Sequence, residues 1–226
     1  MTTLEVARYI YNQLTSAGVT KEGACAVLGN IQAESVFIVN NLEDSKNRSL
    51  GLTDAQYTER VDNGTYTNFV HDSAGYGLAQ WTYWSRKNGL LKYVKSKGKS
   101  IGDLQTQVEY LIKEFKEDFA SIWSQLKTGT NLYDLTSLLL NKWENPAYKN
   151  ISTRYQYAQA WYNQIDSIPP AAAHTTASTG LTLAQAVEKL LATARKELGY
   201  PEGHNNYTKY AEGSWDNQFY GWELQN

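Results

Sequence analysis

An apolar stripe at helical spacing is the feature that most constrains the fold of this chain. Its members are Leu104, Val108, Leu111, Ile112, Phe115, Phe119, Ile122, Trp123 and Leu126. At 3.6 residues per turn the stripe lasts for about six turns. A stripe of this kind faces the core of its own domain far more often than a partner, so we expect one long core helix here.

Shorter helices are predicted on both sides of this stripe. Apolar residues recur at helical spacing from Leu4 to Leu14, and Thr20 can cap a second helix that runs to about Ser35. The pair Thr53 and Gln56 has the pattern of a capping box. Three further helices are expected, at Trp84–Gly98, Leu132–Glu144 and Thr153–Asp166. Turn residues interrupt the segment 36–76, where a weak alternation over 65–70 favours a short strand.

Composition excludes several classes of protein. The 226 residues carry a net charge of −2, which argues against a nucleic-acid-binding protein. One cysteine and three scattered histidines give neither a disulfide framework nor the spacing of a zinc site. Apolar runs are far shorter than the ~20 residues of a membrane-spanning helix. The first residues also lack the basic and apolar regions of a secretory signal.

The chain divides into three parts by composition. Residues 1–168 have the helical patterns of one domain. Residues 169–181 are uncharged and begin with a proline pair, which indicates a linker. Residues 182–226 begin with a capped amphipathic helix but are too few for a comfortable independent core, so we expect the N-terminal fragment of a second module.

Two motifs carry side chains that suit chemistry. The first, Gly29-Asn-Ile-Gln-Ala-Glu-Ser35, puts Glu34 at the C-terminal end of an otherwise apolar helix. Burial and the helix dipole both favour a protonated carboxyl there, as a general acid requires. The second, Asp72-Ser-Ala-Gly-Tyr-Gly-Leu-Ala-Gln-Trp81, has glycines that let a ligand approach the backbone. The chain also has 17 Tyr and 7 Trp, more than a core needs, and aromatic rings often line clefts for sugars.

Taken in order, these motifs resemble the lysozyme-like superfamily and, more closely, the phage tail lysozyme family of Gram-positive phages and prophages. The match is carried by Gly29–Ser35, by 62–70 and by Asp72–Lys87, and it extends over about residues 4–166. It implies a mainly α, lysozyme-like helical domain with a small irregular or β insertion that forms the cleft. Val36 is a departure, because the family usually has Gly after Glu-Ser.

The resemblance implies that Glu34 is the general acid that protonates a glycosidic oxygen of peptidoglycan. Asp72 is the first candidate for a second carboxylate, and Glu43, Asp44 and Asp62 remain open. Some relatives use one Glu with substrate assistance, so a second acid is not required. Neither a metal nor an organic cofactor is implied.

The resemblance also implies a substrate-binding cleft. Tyr76, Gln80, Trp81 and Tyr83 would line it, and Trp143, in Trp143-Glu-Asn-Pro146, would lie on the other wall. Glu144 in the same motif is open between a structural and a substrate-facing role. Six basic residues and no acid lie between Arg86 and Lys99, which suggests either a solvated helix face or attraction to anionic wall polymers.

Residues 182–226 resemble the beginning of a CHAP-like cysteine amidase or endopeptidase module, but the nucleophilic cysteine would follow the last residue here. Cys25 lies within an apolar helix and is expected to be a buried apolar residue. This fragment is therefore not expected to be a working peptidase.

These observations predict a peptidoglycan glycan-strand hydrolase, a muramidase or glucosaminidase that cuts β-1,4 bonds. It would be made in the host cytoplasm and reach the wall after holin release, as an endolysin, or as a tail component of the virion. Three alternatives remain: a lytic transglycosylase, a non-catalytic wall-binding or tail-structural module, and a peptidase acting through the C-terminal fragment.

Overall fold

Helices make up most of the folded domain, as the sequence predicts. A computed structural model describes residues 1–146 and 149–168, and in these ranges it contains helices and isolated bridges but no strand. The helices are α1 (Thr3–Ser16), α2 (Lys21–Ser35), α3 (Asp44–Leu50), α4 (Asp54–Asp62), α5 (Trp84–Ser96), α6 (Leu104–Glu117), α7 (Ala120–Thr128), α8 (Leu132–Leu139) and α9 (Ile151–Gln164). The predicted linker 169–181 and fragment 182–226 lie outside the described residues.

Helix α2 is the centre of the domain, and it packs against α1, α7, α8 and α9. The Thr20 hydroxyl caps it, as predicted, by accepting a hydrogen bond from the Gly23 amide at 3.0 Å. Ten of its residues are buried, Cys25 among them. Burial raises the pKa of the Cys25 thiol to about 12, so this cysteine is a core residue, as expected.

Gly29 explains how α9 lies so close to α2. A Cβ atom at Gly29 would come within 2.6 Å of the Arg154 carbonyl oxygen and 2.7 Å of the Ala158 Cβ atom. Any larger side chain would push α9 away. The first glycine of the Gly29–Ser35 motif is therefore a packing requirement that lets one helix touch another.

The prediction of one long helix over the apolar stripe is wrong. The stripe is divided between α6 and α7, and Asp118 and Phe119 form the break. The Phe119 amide bonds back to the Glu114 carbonyl at 3.2 Å, and the Phe119 ring packs against Phe115. Apolar spacing continues across the break because both helices face the same core, so periodicity alone did not reveal it.

The segment between α2 and α5 folds around polar contacts. The predicted capping box at Thr53 and Gln56 is present at the start of α4. The predicted strand at 65–70 is absent: the Thr65 hydroxyl binds Asn63, and the Tyr66 ring packs on Tyr57. Only the isolated bridges of Tyr76 with Leu42 and Trp81 give this insertion β character.

Candidate active site

A cleft of about 300 Å³ opens at the C-terminal end of α2, a size that suits a small-ligand site. Its lining comes from α2, from the loop before α3, from the loop between α4 and α5, from the start of α5 and from the segment that precedes α9. The lining residues are Glu34, Glu43, Gly75, Gln80, Thr82, Tyr83, Arg86, Glu144 and Pro146. Three carboxyl groups therefore share one cleft.

Glu34 is held by a residue of α9. Arg154 on α9 is largely buried, and its Nη2 atom donates to Glu34 Oε1. Its Nη1 atom donates to the Asn30 carbonyl oxygen and to Asn30 Oδ1, at 3.3 and 3.1 Å. Asn30 lies one turn before Glu34 on α2, so a single guanidinium fixes the backbone and the carboxyl together. Within the described residues, Glu34 Oε2 makes no hydrogen bond.

The turn after Glu34 has an unusual backbone. The Ser35 hydroxyl donates to the Leu78 carbonyl oxygen at 2.8 Å, which ties the helix end to the glycine loop. Val36 and Phe37 then adopt left-handed conformations, with φ of 49° and 64°. The left-handed region favours glycine and is strained for a β-branched residue. Val36 thus keeps the turn for which a glycine would be the natural residue.

Glu43 is the second cleft carboxyl whose position is fixed by donors. Its Oε2 atom accepts from the Gly75 amide at 3.1 Å, and its Oε1 atom accepts from the Ser45 hydroxyl. The Glu43 amide in turn donates to the Gly75 carbonyl oxygen at 2.9 Å. Glu43 and the Gly75 backbone therefore form a paired contact on the wall of the cleft.

Two of the five predicted substrate-binding residues line the cleft. The Gln80 amide nitrogen donates to the Asn41 and Gly77 carbonyl oxygens, both at 3.1 Å, so its side chain is fixed. Tyr83 is the opposite case: it is 63% exposed, and its ring packs loosely against the exposed Trp84 at 6.0 Å. Gln80 gives the wall a fixed polar group, and Tyr83 gives it an open aromatic face.

The other three predicted binding residues lie in the core. Trp81 and Trp143 are buried, and both indole nitrogens donate to Glu114 Oε2, at 3.2 and 3.3 Å. The Tyr76 hydroxyl bonds to the Thr58 hydroxyl at 2.6 Å. None of the three rings lines the cleft. Their sequence positions suggested rings on which a sugar could stack, but the structure places these rings in the core next to the cleft.

Asp72 lies outside the cleft, in a buried polar cluster. Its Oδ1 atom pairs with Lys87 Nζ at 2.5 Å, and the side chains are 4% and 0% exposed. Its Oδ2 atom accepts from the hydroxyls of Tyr57 and Tyr66, at 2.5 and 3.0 Å. Burial lowers the pKa of Lys87, although the bond from Asp72 opposes this effect. Asp72 is therefore bonded through both oxygens and is not part of the cleft lining.

Arg86 and Glu144 are cleft residues for which the sequence gave little signal. Arg86 donates through Nε and Nη2 to the two oxygens of the buried Glu114, at 2.7 and 2.8 Å. Glu144 ends a turn of π-helix, Leu140–Glu144, that continues α8. Burial raises the pKa of Glu144 well above its ordinary value, and the charge of Glu34 raises it further. The structure thus places Glu144 in the lining of the cleft.

Much of the basic run on α5 is neutralised by internal partners. Arg86 and Lys87 pair with Glu114 and Asp72, and the exposed Lys97 pairs with Glu109 at 3.5 Å. Among the residues that the structure describes, Lys92, Lys95 and Lys99 have no such partner. This surface resembles a solvated helix face more than a continuous binding patch.

Two other kinds of site were searched for in residues 1–146 and 149–168. No helix there is both long and apolar enough to cross a membrane. No group of three or more His, Cys, Asp or Glu side chains in the same part of the chain could hold a metal ion.

Comparison with known proteins identifies the family. A family model described as phage tail lysozyme matches residues 5–165, a range that begins within α1 and extends past the end of α9. The chain belongs to the phage tail lysozyme family. It is also 27% identical over 186 residues to morphogenesis protein 1 of Bacillus phage B103. That alignment covers 79% of this chain and 42% of the phage protein, so the chain spans less than half of that relative. Membership implies a lysozyme-like domain.

Proposed function

We propose that residues 1–168 hydrolyse β-1,4 bonds in the glycan strand of peptidoglycan, with Glu34 as the general acid. The observation that supports this most is the position of Glu34. It ends the central helix, opens into the cleft and is held through one carboxyl oxygen by Arg154. The other oxygen, Oε2, is left for the glycosidic oxygen of the substrate. Fixed positioning of the acid is what proton transfer to a leaving group needs.

Glu43 fits the second carboxylate better than Asp72 does. Both oxygens of Asp72 are already bonded in a buried cluster, whereas Glu43 lines the cleft. A carboxylate held by two donors can accept a proton from water or face the positive charge that develops on the sugar ring. We therefore assign this role to Glu43. The anomer of the product reports whether Glu43 acts on a water, with inversion, or as a nucleophile, with retention.

The rest of the cleft would bind the glycan. Gln80 offers a fixed polar group, and Tyr83 offers a ring face on which a sugar can stack. The buried Tyr76, Trp81 and Trp143 would act indirectly, by fixing the backbone behind the cleft.

The biological setting follows from the relatives. The family is named for phage tails, and the B103 relative is named as a morphogenesis protein. These names favour a virion component that digests the wall during entry over an endolysin that acts at release. They also support the second candidate, a tail module that binds the wall without turnover. We propose that residues 169–181 link this domain to the first residues of a second, CHAP-like module.

Mass spectrometry of digested Gram-positive sacculi tests this function. The wild-type chain is compared with Glu34→Gln and with Glu59→Gln, a matched change on the exposed side of α4. We expect soluble fragments with reducing muramic or glucosamine ends from the wild type and from Glu59→Gln, and none from Glu34→Gln.

Each other outcome identifies an alternative. Anhydro ends would assign the activity to a lytic transglycosylase. Intact sacculi in every digest, with the protein bound to them, would leave a binding module. Peptide-cleaved fragments from the Glu34→Gln digest would put the chemistry outside this cleft.

A further inference from the structure

The backbone around Glu144 is built to bring its carboxyl into the cleft. The chain leaves α8 through a π-helical turn that ends at Glu144, and Asn145 then adopts a left-handed conformation with φ of 44°. Turns of π-helix are rare and often mark functional sites. This turn places Glu144 and Pro146 in the same cleft lining as Glu34.

One oxygen of Glu144 has no partner. The residue as a whole is partly exposed, but its Oε1 atom is buried and accepts no hydrogen bond within the described residues. A buried oxygen of an ionised carboxylate would be left without solvent and without donors, which proteins rarely tolerate. A protonated carboxyl avoids that charge and gives the group a hydrogen to donate.

The charged groups around Glu144 also favour its protonated form. Glu34 on α2 and Glu114 on α6 are acidic neighbours, and Arg86 on α5 and Arg154 on α9 are basic ones. Both arginines already make ion pairs, Arg86 with Glu114 and Arg154 with Glu34. Glu43 is the third carboxyl of the cleft lining, and it brings no positive charge that would stabilise an ionised Glu144. Burial and then Glu34 accordingly raise the pKa of Glu144.

We propose that Glu144 is the proton-bearing member of a carboxyl pair with Glu34 and supplies the proton that Glu34 delivers to the substrate. Glu144 is thus a positioning residue that acts through Glu34, and this role depends on the function proposed above. In the resting cleft Arg154 binds Glu34, and the proton of the pair resides on Glu144. Two carboxyls in one site commonly share a proton in this way.

The proton balance of the cycle closes. Glu144 gives its proton to Glu34, and Glu34 passes it to the glycosidic oxygen as the bond between that oxygen and the anomeric carbon breaks. Water adds its hydroxyl to the anomeric carbon. With retention, Glu34 takes the proton that this water loses; with inversion, Glu43 takes it and releases it to solvent, from which the pair is reprotonated. On either route the cycle ends with one proton on the pair and consumes only water.

A pH–rate profile of Glu144→Gln tests the proposal. Gln keeps the size of the side chain and its neutral charge but cannot release a proton. We expect kcat/KM to fall at least tenfold near neutral pH and to recover towards the wild-type value in acid, where solvent protonates Glu34 directly. The alkaline limb of the profile therefore moves to lower pH. Glu144→Asp restores a carboxyl and should move that limb back, and Glu59→Gln should superimpose on the wild type.

A merely structural Glu144 gives a different result. The profile of Glu144→Gln would then keep the wild-type shape at any level of activity, and this outcome would overturn the proposal.

Difference infrared spectroscopy gives a readout that does not need turnover. The wild type at neutral pH should show the carbonyl band of a protonated carboxyl, and Glu144→Gln should lack it. A band that persists in Glu144→Gln, or its absence from the wild type, would refute the assignment of the proton. Activity of Glu34→Gln would instead contradict the proposed function, whatever the infrared result.

Discussion

Arg154 donates to Glu34 and to Asn30 at once, so a residue of α9 holds the carboxyl group at the C-terminal end of α2. The two side chains are 8% and 17% exposed, which makes this a nearly buried ion pair. The geometry of the cleft therefore depends on how α9 docks onto α2, and Gly29 allows that docking.

Replacing Arg154 should destabilise the domain and abolish activity. Arg154→Met keeps the length of the side chain but leaves the Glu34 carboxylate and the Asn30 oxygens without their donor, at an expected cost of about 3 kcal/mol. Denaturant unfolding at neutral pH measures the loss. In a Glu34→Gln background the same substitution should cost clearly less, because no buried charge is stranded. Equal costs in both backgrounds would mean that the ion pair contributes nothing to stability.

Asp72→Asn should lower the stability of the domain but leave its turnover almost unchanged. It removes the counter-charge of the buried Lys87, and stranded buried charges cost about 3–5 kcal/mol. At temperatures where the variant is fully folded, we expect kcat within about twofold of the wild type, because Asp72 does not line the cleft. The double variant Asp72→Asn/Lys87→Met should recover much of the lost stability. Loss of turnover with an unchanged unfolding curve would instead indicate that Asp72 takes part in catalysis.

Glu144 should make stability depend on pH with a defined sign. Its pKa in the folded state is raised above 4.5, so between those two pKa values the native protein holds a proton that the unfolded chain releases. The stabilisation that Glu144 contributes is fully present below its pKa in the unfolded chain. It is lost as the pH rises through its pKa in the folded protein. The free energy of unfolding of Glu144→Gln should thus exceed that of the wild type by an amount that grows with pH. A difference between the two free energies of unfolding that stays constant with pH would contradict this expectation.

Val36→Gly should stabilise the domain. A left-handed conformation costs a residue with a Cβ about 1–2 kcal/mol, and glycine loses about 0.5–1 kcal/mol in backbone entropy on folding. Val36 is 58% exposed, so little apolar burial is lost. We expect a net gain of about 0.5–1 kcal/mol in thermal or denaturant unfolding. Val36→Ala, which keeps a Cβ, should gain less, and a loss with Gly would show that the Val36 side chain has contacts that matter.

Tyr83→Ala should weaken glycan binding with little effect on kcat. The ring is exposed at the cleft and touches no reacting group, so it contributes to binding of the ground state and the transition state alike. Loss of one stacking face, about 1 kcal/mol, should raise KM by about fivefold. Tyr133→Ala on α8, also an exposed tyrosine but not part of the cleft lining, is the matched control. An equal rise in KM for both variants would argue against a specific contact at Tyr83.

Local sequence signals predicted the helical framework well. Caps at Thr20 and Thr53 and apolar spacing in α1, α2 and α5 depend on residues within a few positions, and the structure has each of them. The break at Asp118 was missed because two helices that face one core keep a common apolar spacing.

The candidate site was harder to predict because burial is not a local property. Trp81 and Trp143 have the sequence context of cleft residues, yet both bind Glu114 in the core. Asp72 stands at the start of a glycine loop, but a lysine fifteen positions later draws it inside. No nearby residue indicates that α9 brings Arg154 to Glu34.

The dependence of the cleft on α9 has a consequence for how the protein is made. Glu34 and Arg154 are 120 residues apart in the chain. A nascent polypeptide thus exposes its acidic residue long before the arginine that orients it has been translated. Contacts between positions this far apart form late in folding. The chain must first lose the conformational entropy of closing the long loop between them, and only then does the contact stabilise the fold. Under the proposed function, a complete catalytic centre would therefore form only after synthesis has passed residue 154.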